Sequence, residues 1–346
     1  MLGVFVNRVS GVISVTRKLN NNIVNNKFQI FLNGHIISLR KDYSRDLKAL
    51  ASKNIEVQAF VHEASSTITY LLLEKSSGVA AIIDPAADFN ILTGELDFGF
   101  CRQIENVIND FNYKLQWILE THVHADHVTG AQYLKSKLGG TIAIGSRIKE
   151  VQQIFSKIYN DAPCPSFDGS EFDCLLEPDQ ILPFGDVTIE VIPTPGHTPA
   201  CNSFLIENML FVGDSIFMPD FGTARCDFPG GSARDLYSSA QRLLQLPKST
   251  KVFVGHDYGP GGRPIAWETT IEKQKEENIH INDGVQISEF VSVREARDAG
   301  LSLPKMIIPS IQINMRAGRL PEVERNGISY LKTPINCYPG IQAEDN

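Results

Sequence analysis

The stretch 115-LQWILETHVHADHVTG-130 decides the fold of this 346-residue chain. Four of its first five residues are apolar, Leu115, Trp117, Ile118 and Leu119, which predicts a buried strand over 115–119. The character then changes at once: Glu120-Thr121 leads into His122-x-His124-x-Asp126-His127, four metal-capable side chains just beyond a strand end. After them, 128–138 is predicted as a helix stopped by Gly139-Gly140, because glycine accepts the left-handed conformation that ends a helix. Residues 141–144 return as a strand.

The same arrangement recurs further along. A strand over 187–192 runs into Pro193-Thr194-Pro195-Gly196-His197, and a hairpin over 204–206 and 210–212, turning at Glu207-Asn208, runs out into Gly213-Asp214. A helix over 232–246 and a strand over 252–254 lead to Gly255-His256. Four strand ends thus each deliver a metal-capable side chain, and convergence of such loops at one sheet edge is how a rigid scaffold assembles a site. Upstream, 57–60, 67–73 and 79–83 are predicted as antiparallel strands. Residues 101–113 carry helical apolar spacing at Ile104, Val107, Ile108 and Phe111. Strands and helices in both halves predict an α/β sandwich of two sheets flanked by helices. Beyond residue 259, 268–277 and 293–299 are predicted helical and 306–314 extended, forming an appendage packed on the core.

Five of the eight histidines fall in these motifs, with Asp126 and Asp214 beside them. Neutral imidazole and anionic carboxylate together suit zinc, iron or manganese. A structural zinc site is usually closed by four ligands and rich in cysteine; this set has more than four candidates and no cysteine, so it predicts an open, catalytic centre. His35, His62 and His280 are expected to be surface or hydrogen-bonding residues. Asp88, Asp110 and Asp161 are expected to cap helices or turns, and Cys201 and Cys226 to be buried small side chains rather than nucleophiles.

Composition bounds the alternatives. At 42% hydrophobic and 21% charged residues the chain has the make-up of a globular protein. No run of about 18 apolar residues predicts a membrane-spanning helix. The six cysteines form no C-x-x-C pair, which argues against a disulfide framework. Residues 1–41 hold six Lys and Arg and no acid, so with a total of −8 the remainder carries −14. That acidic balance argues against a sequence-independent hold on nucleic acid. The arginine-bearing start, free of acid over 1–41, is expected to be a mitochondrial transit segment over 1–45.

The order H-x-H-x-D-H, G-H-T, G-D and a final His resembles the metallo-β-lactamase superfamily over 55–260. The resemblance implies a four-layer αββα sandwich, followed by a C-terminal extension over 261–346. Within the superfamily, Gly222-Thr223-Ala224-Arg225-Cys226-Asp227-Phe228 is similar to the G-x-G-R-T-D-F stretch of persulfide dioxygenases, although Cys226 stands where that family usually has Thr. This likeness implies a mitochondrial matrix enzyme that oxidises glutathione persulfide with dioxygen and water to sulfite and glutathione. One Fe(II) would be held by His122, His197 and Asp214. His124, Asp126, His127 and His256 would orient those ligands, manage protons or hold a second metal, and Tyr258 would hydrogen-bond the persulfide or an oxygen. Arg225 would bind a glutathione carboxylate, with Arg263, Arg316 and Arg319 as weaker candidates. The alternative is a hydrolase of the glyoxalase II type or a lactonase, with two Zn(II) ions. The substrates are the expected partners, together with a possible second copy in a homodimer; neither nucleic acid nor membrane is expected.

Overall fold

Two mixed sheets stacked face to face, with helices on both outer sides, position everything that follows. The computed structural model describes residues 54–161 and 167–335, together with the backbone of short strands upstream. Residues 1–43 form a unit of their own, in which Phe5–Val9 pairs with Val12–Thr16 and Phe28–Leu32 with His35–Leu39. Apart from the backbone of those strands, the expected transit segment lies outside the described residues, as does the His35 side chain.

The first sheet contains β1 (Ile55–His62), β2 (Thr67–Glu74) and β3 (Val79–Ile83), paired antiparallel, followed by β6 (Lys114–Leu119), β8 (Thr141–Gly145) and β9 (Cys174–Leu176). β3, β6, β8 and β9 run parallel. A small side sheet is made by β4 (Ala86–Asn90), β5 (Glu95–Asp97) and β7 (Val128–Thr129). The second large sheet has the order β10 (Ile181–Phe184), β11 (Val187–Pro193), β12 (Asn202–Ile206), β13 (Met209–Phe211), β14 (Lys251–Phe253) and β15 (Glu268–Thr270).

The period-2 alternation of strand side chains divides the core in two. Tyr70 and Leu72 of β2 and Ala81 and Ile83 of β3 face the second sheet, meeting Phe204, Phe211 and Val252. Their neighbours Leu71, Leu73, Ala80 and Ile82 face the helices α1 (Gly99–Asp110), α2 (Ala131–Leu138) and α3 (Ile148–Ile158). On the far side α4 (Ala233–Leu243) buries Leu236, Ala240 and Leu243 against the second sheet. Each fully buried Leu or Ile contributes roughly 2 kcal/mol from its removal from water, so both sheet faces are strongly specified and neither can slip register. This is the expected αββα layering.

Strand direction then explains the site. β13 and β14 are parallel, and β11 is related to β13 by two antiparallel steps. All three therefore end at the same edge, and β6 ends there too. An antiparallel bridge between Thr67 and His256, with Ile68 N–H donating to Gly255 O at 2.8 Å, ties the two sheets together at that edge.

Three expectations differ from the structure. The helix expected over 128–138 starts at Ala131, because Val128 and Thr129 pair with Ala87 and Ala86 instead; it ends at Gly139 (φ +74°), as anticipated. The helix expected over 268–277 is a strand, β15, followed by α5 (Ile271–Glu277), and the Thr270 hydroxyl caps α5 by accepting from Lys273 N–H. Residues 306–314, expected to be extended, form α7 (Ile307–Asn314) after α6 (Ile287–Asp298). Nearly every α7 residue is buried, so its sequence has no polar face and hence no helical period to read. Its β-branched Ile residues imitate a strand. Ile307 and Ile311 pack into the α1–α3 cluster, whereas Phe290 of α6 packs into the other.

Candidate metal centre

His122, His197 and Asp214 arrive from the ends of β6, β11 and β13. Their ligand atoms lie within 4.8 Å of one another, with Asp214 Oδ2 at 3.9 Å from both His122 Nε2 and His197 Nε2. Two ligands of one ion stand no further apart than about 4.2 Å, twice a typical ~2.1 Å bond, so a single ion can bridge these contacts. The orphaned atoms point the same way. His122 Nε2, His127 Nε2 and Asp214 Oδ1 are buried without a hydrogen-bond partner, a costly condition unless something binds them. The donor set fits a divalent transition metal.

Each imidazole is aimed by its other nitrogen. His197 Nδ1 donates to the Arg225 carbonyl at 2.7 Å, leaving Nε2 free. His122 Nδ1 lies 3.0 Å from Thr121 Oγ1, which donates to Asp84 Oδ2 at 2.7 Å. Such outer partners fix tautomer and ring orientation. Burial lowers the pKa of both His122 and His197, and that of His127 to about 4, so each is neutral and has a lone pair for a metal. Gly196 sets the approach of His197. Its φ is +146°, and a Cβ there would come within 2.3 Å of the Leu236 backbone in α4.

The remaining motif residues form an adjoining layer. His124, Asp126 and His127 make a second group of potential ligands; Asp84, Glu120 and His124 make a third. His124 is common to both and cannot serve both at once. Its Nε2 faces Asp84 Oδ1 at 3.0 Å and Glu120 Oε2 at 3.5 Å. His256 Nε2 stands 3.5 Å from Asp126 Oδ2 and 3.4 Å from Asp214 Oδ1, bridging the layers. Burial opposes the charge on Asp126, but His127 and His256 outweigh it and hold the carboxyl well below its ordinary range.

A cleft of about 270 Å³ opens over Asp126, His197, Asp214 and His256. Phe217, Phe221, Phe228 and Tyr258 supply its apolar walls. Tyr258 is 48% exposed, and its ring stacks parallel to His256 at 5.8 Å. Partial burial, then Asp214 and Asp126, push its phenol upward, so it stays protonated. Arg225 also lines the cleft, but its guanidinium is gripped by both Asp227 oxygens at 2.6 Å and donates to Ser302 O at 2.7 Å.

Other residues singled out in the sequence lie apart from the ligands. Arg263 pairs with Asp220 and Asp257, Arg316 with Asp161, and Arg319 donates to Glu171 O. His62 is hydrogen-bonded to Ser65 and Asp88, and His280 to Thr223. Cys201 and Cys226 are buried; burial pushes the Cys201 thiol up to about 12 and the Cys226 thiol higher still. Sequence reasoning missed Asp84, Glu120, Thr67 and Asn314. Thr67 Oγ1 donates to Asp126 Oδ2 at 3.1 Å. Asn314, at the end of α7, donates from Nδ2 to the carbonyls of His124 (2.9 Å) and His127 (2.8 Å) and accepts from Thr129 N–H (2.8 Å). The polar Asp84-Pro85 at a strand end was a readable signal; nothing local marked Asn314.

With that geometry in place, comparison with known proteins identifies the class. Residues 69–256 match the family model described as Metallo-beta-lactamase superfamily, and this chain belongs to that superfamily. A metallo-hydrolase of Burkholderia pseudomallei is 44% identical over 291 residues, 81% of this chain and 99% of that protein. Persulfide dioxygenase ETHE1, mitochondrial, of Homo sapiens is 29% identical over 257 residues, 73% of this chain and 85% of that protein. Among solved structures, ETHE1 from Myxococcus xanthus superposes with a TM-score of 0.61 at 26% identity, covering 76% of this chain and 99% of its own. Among the described residues no helix is long and apolar enough to cross a membrane.

Proposed function

We propose that this protein is a mitochondrial persulfide dioxygenase with one Fe(II), oxidising glutathione persulfide to sulfite and glutathione. The observation that carries this reading is the separation of roles around the centre. His122, His197 and Asp214 converge on one point, while His124, the third histidine a fully two-metal site would draw on, turns its Nε2 to Asp84 and Glu120. A two-histidine, one-carboxylate face leaves positions open for both sulfur and dioxygen. Bound there, Fe(II) supplies the electron exchange with dioxygen that no side chain can.

The chain's own residues do the rest. Both atoms of dioxygen pass to the terminal sulfur, water supplies the third oxygen of sulfite, and the S–S bond breaks with glutathione leaving as the thiol. Asp126, held ionised between His127 and His256, is placed to accept a hydrogen bond from that water and orient it, while the released proton passes to solvent. Tyr258, protonated and lining the cleft, would donate a hydrogen bond to the bound persulfide, and the ring walls limit bulk water. Thr121, Asp84 and the Arg225 carbonyl keep the two metal-facing imidazoles in the right tautomer.

A second reading is a two-zinc hydrolase of the glyoxalase II type. The His124–Asp126–His127 group and the 44% identical metallo-hydrolase favour it. Anaerobic purification, metal quantification and an oxygen-electrode assay with glutathione persulfide on one sample separate the two. About one iron per chain with substrate-dependent oxygen uptake is the expected result; two zinc ions, no uptake and thioester hydrolysis would establish the hydrolase. Asp214→Ala is expected to abolish metal binding, and full iron occupancy with full turnover in that variant would refute the site.

A further inference from the structure

We infer that Arg297, on α6 at the rim of the cleft, anchors a carboxylate of the substrate and so restricts it to anionic thiol derivatives. The inference rests on the dioxygenase reading for the sulfur chemistry, but not for the anion.

Two of the three arginines at the cleft are already neutralised by carboxylates. The cleft wall holds three arginines, Arg225, Arg294 and Arg297. Arg225 is neutralised by the two-pronged pair with Asp227. Arg294 is buried, paired with Asp298 at 2.6 Å and donating to Thr223 O. Among the described residues Arg297 has no carboxylate within ion-pair distance. Its one polar neighbour is His280, whose Nε2 lies 3.1 Å from Nη1 of Arg297. That contact cannot satisfy the guanidinium. His280 Nδ1 accepts from the Thr223 amide at 3.0 Å, so in the neutral imidazole the proton sits on Nε2, which then has no lone pair to offer. Burial, with Arg294 and Arg297 adding to it, lowers His280 to about 4 and keeps the ring neutral. An exposed guanidinium with no carboxylate of the described residues beside it, lining a cleft on an otherwise acidic protein, is a site for a planar anion.

Position supports the same conclusion. Arg297 lies over the Phe221 ring at 5.8 Å, Phe221 packs on Tyr258 at 4.8 Å, and Tyr258 stacks on His256 at 5.8 Å. The aromatic ladder leads from the cation to His256, whose Nε2 stands 3.4 Å from Asp214 Oδ1.

The test uses full-length metal-loaded enzyme and its Arg297→Gln and Arg297→Lys variants. Oxygen uptake is measured with glutathione persulfide and with the uncharged persulfide of 2-mercaptoethanol, and binding of glutathione itself is measured by calorimetry. Loss of one charge-assisted contact at a partly exposed rim corresponds to about tenfold. Arg297→Gln is therefore expected to raise the ratio of KM for the anionic over the neutral persulfide about tenfold and to weaken glutathione binding similarly, with partial recovery in Arg297→Lys. A variant that raises both KM values equally, or binds glutathione as the parent does, overturns the assignment. Failure of the parent enzyme to consume oxygen with either persulfide would sink the dioxygenase reading alone, since the calorimetry still reports on Arg297. No glutathione binding by the parent would overturn the anion site.

Discussion

Replacing Asn314 with alanine should cost the protein its metal before it costs it its fold. The side chain is 4% exposed and makes three hydrogen bonds, two to carbonyls inside the H-x-H-x-D-H loop and one to the Thr129 amide that closes it. Net contributions of about 1 kcal/mol each give ~3 kcal/mol, and the buried backbone groups left without partners add to the cost. Part of this lowers global stability. The part borne by the loop lowers metal affinity, because the loop carrying His122 and His127 is no longer held in one conformation; ~3 kcal/mol is a little over a hundredfold in an equilibrium constant. The assay is metal affinity by chelator competition, paired with thermal unfolding of the metal-free protein. Asn314→Asp is the sharper variant: it retains the acceptor for Thr129 but presents a carboxylate to two carbonyls, and should fare no better than alanine. A metal affinity within twofold of the parent in Asn314→Ala would refute the reasoning.

Gly196→Ala forces a Cβ onto the Leu236 backbone, so a loss of about 3 kcal/mol in stability together with reduced metal occupancy is expected; unchanged chemical denaturation would contradict it. His280, lowered to about 4 from an ordinary value near 6.5, stays neutral in the fold while the unfolded chain takes up a proton. Stability is therefore lost as pH falls from about 6.5 to about 4, and His280→Gln should flatten that part of a stability profile measured by urea titration. Cys201→Ala and Cys226→Ala should keep turnover near the parent level at a cost of about 1 kcal/mol each, their thiols being buried and fully protonated; loss of activity with metal still bound would show that a thiol takes part in the chemistry. Metal removal by a chelator should lower the melting temperature, because the orphaned imidazoles then remain buried without partners.

The layered sandwich was legible because its strands alternate or run apolar for five to eight residues and its outer helices α1 and α4 keep an apolar stripe. The candidate ligands were legible because histidine-bearing loops stand directly after those strands, and the structure brings His122, His197 and Asp214 together. What was not legible lies far away in sequence. Asn314 meets His124 across 190 positions, and Arg294 meets Thr223 across 71; no local pattern encodes such pairings. Arg225 ranked first from its matched segment and Arg297 was not singled out, since an arginine's availability depends on whether a carboxylate such as Asp227 has already taken it. The extended reading of 306–314 failed for a physical reason: a helix buried on every side has no polar face to reveal its turn.

The clamp from α7 also has a consequence for biosynthesis. Chains emerge from the ribosome amino terminus first, at about 5–20 residues per second. Every side chain proposed to bind metal has been made once His256 is added, yet the residue that fixes the first loop is still 58 positions away. For several seconds the nascent protein owns the complete set of candidate ligands on an unfastened loop. Metal capture is thereby tied to completion of the polypeptide: a chain interrupted after the last ligand but before Asn314 would carry the whole motif and hold its ion poorly.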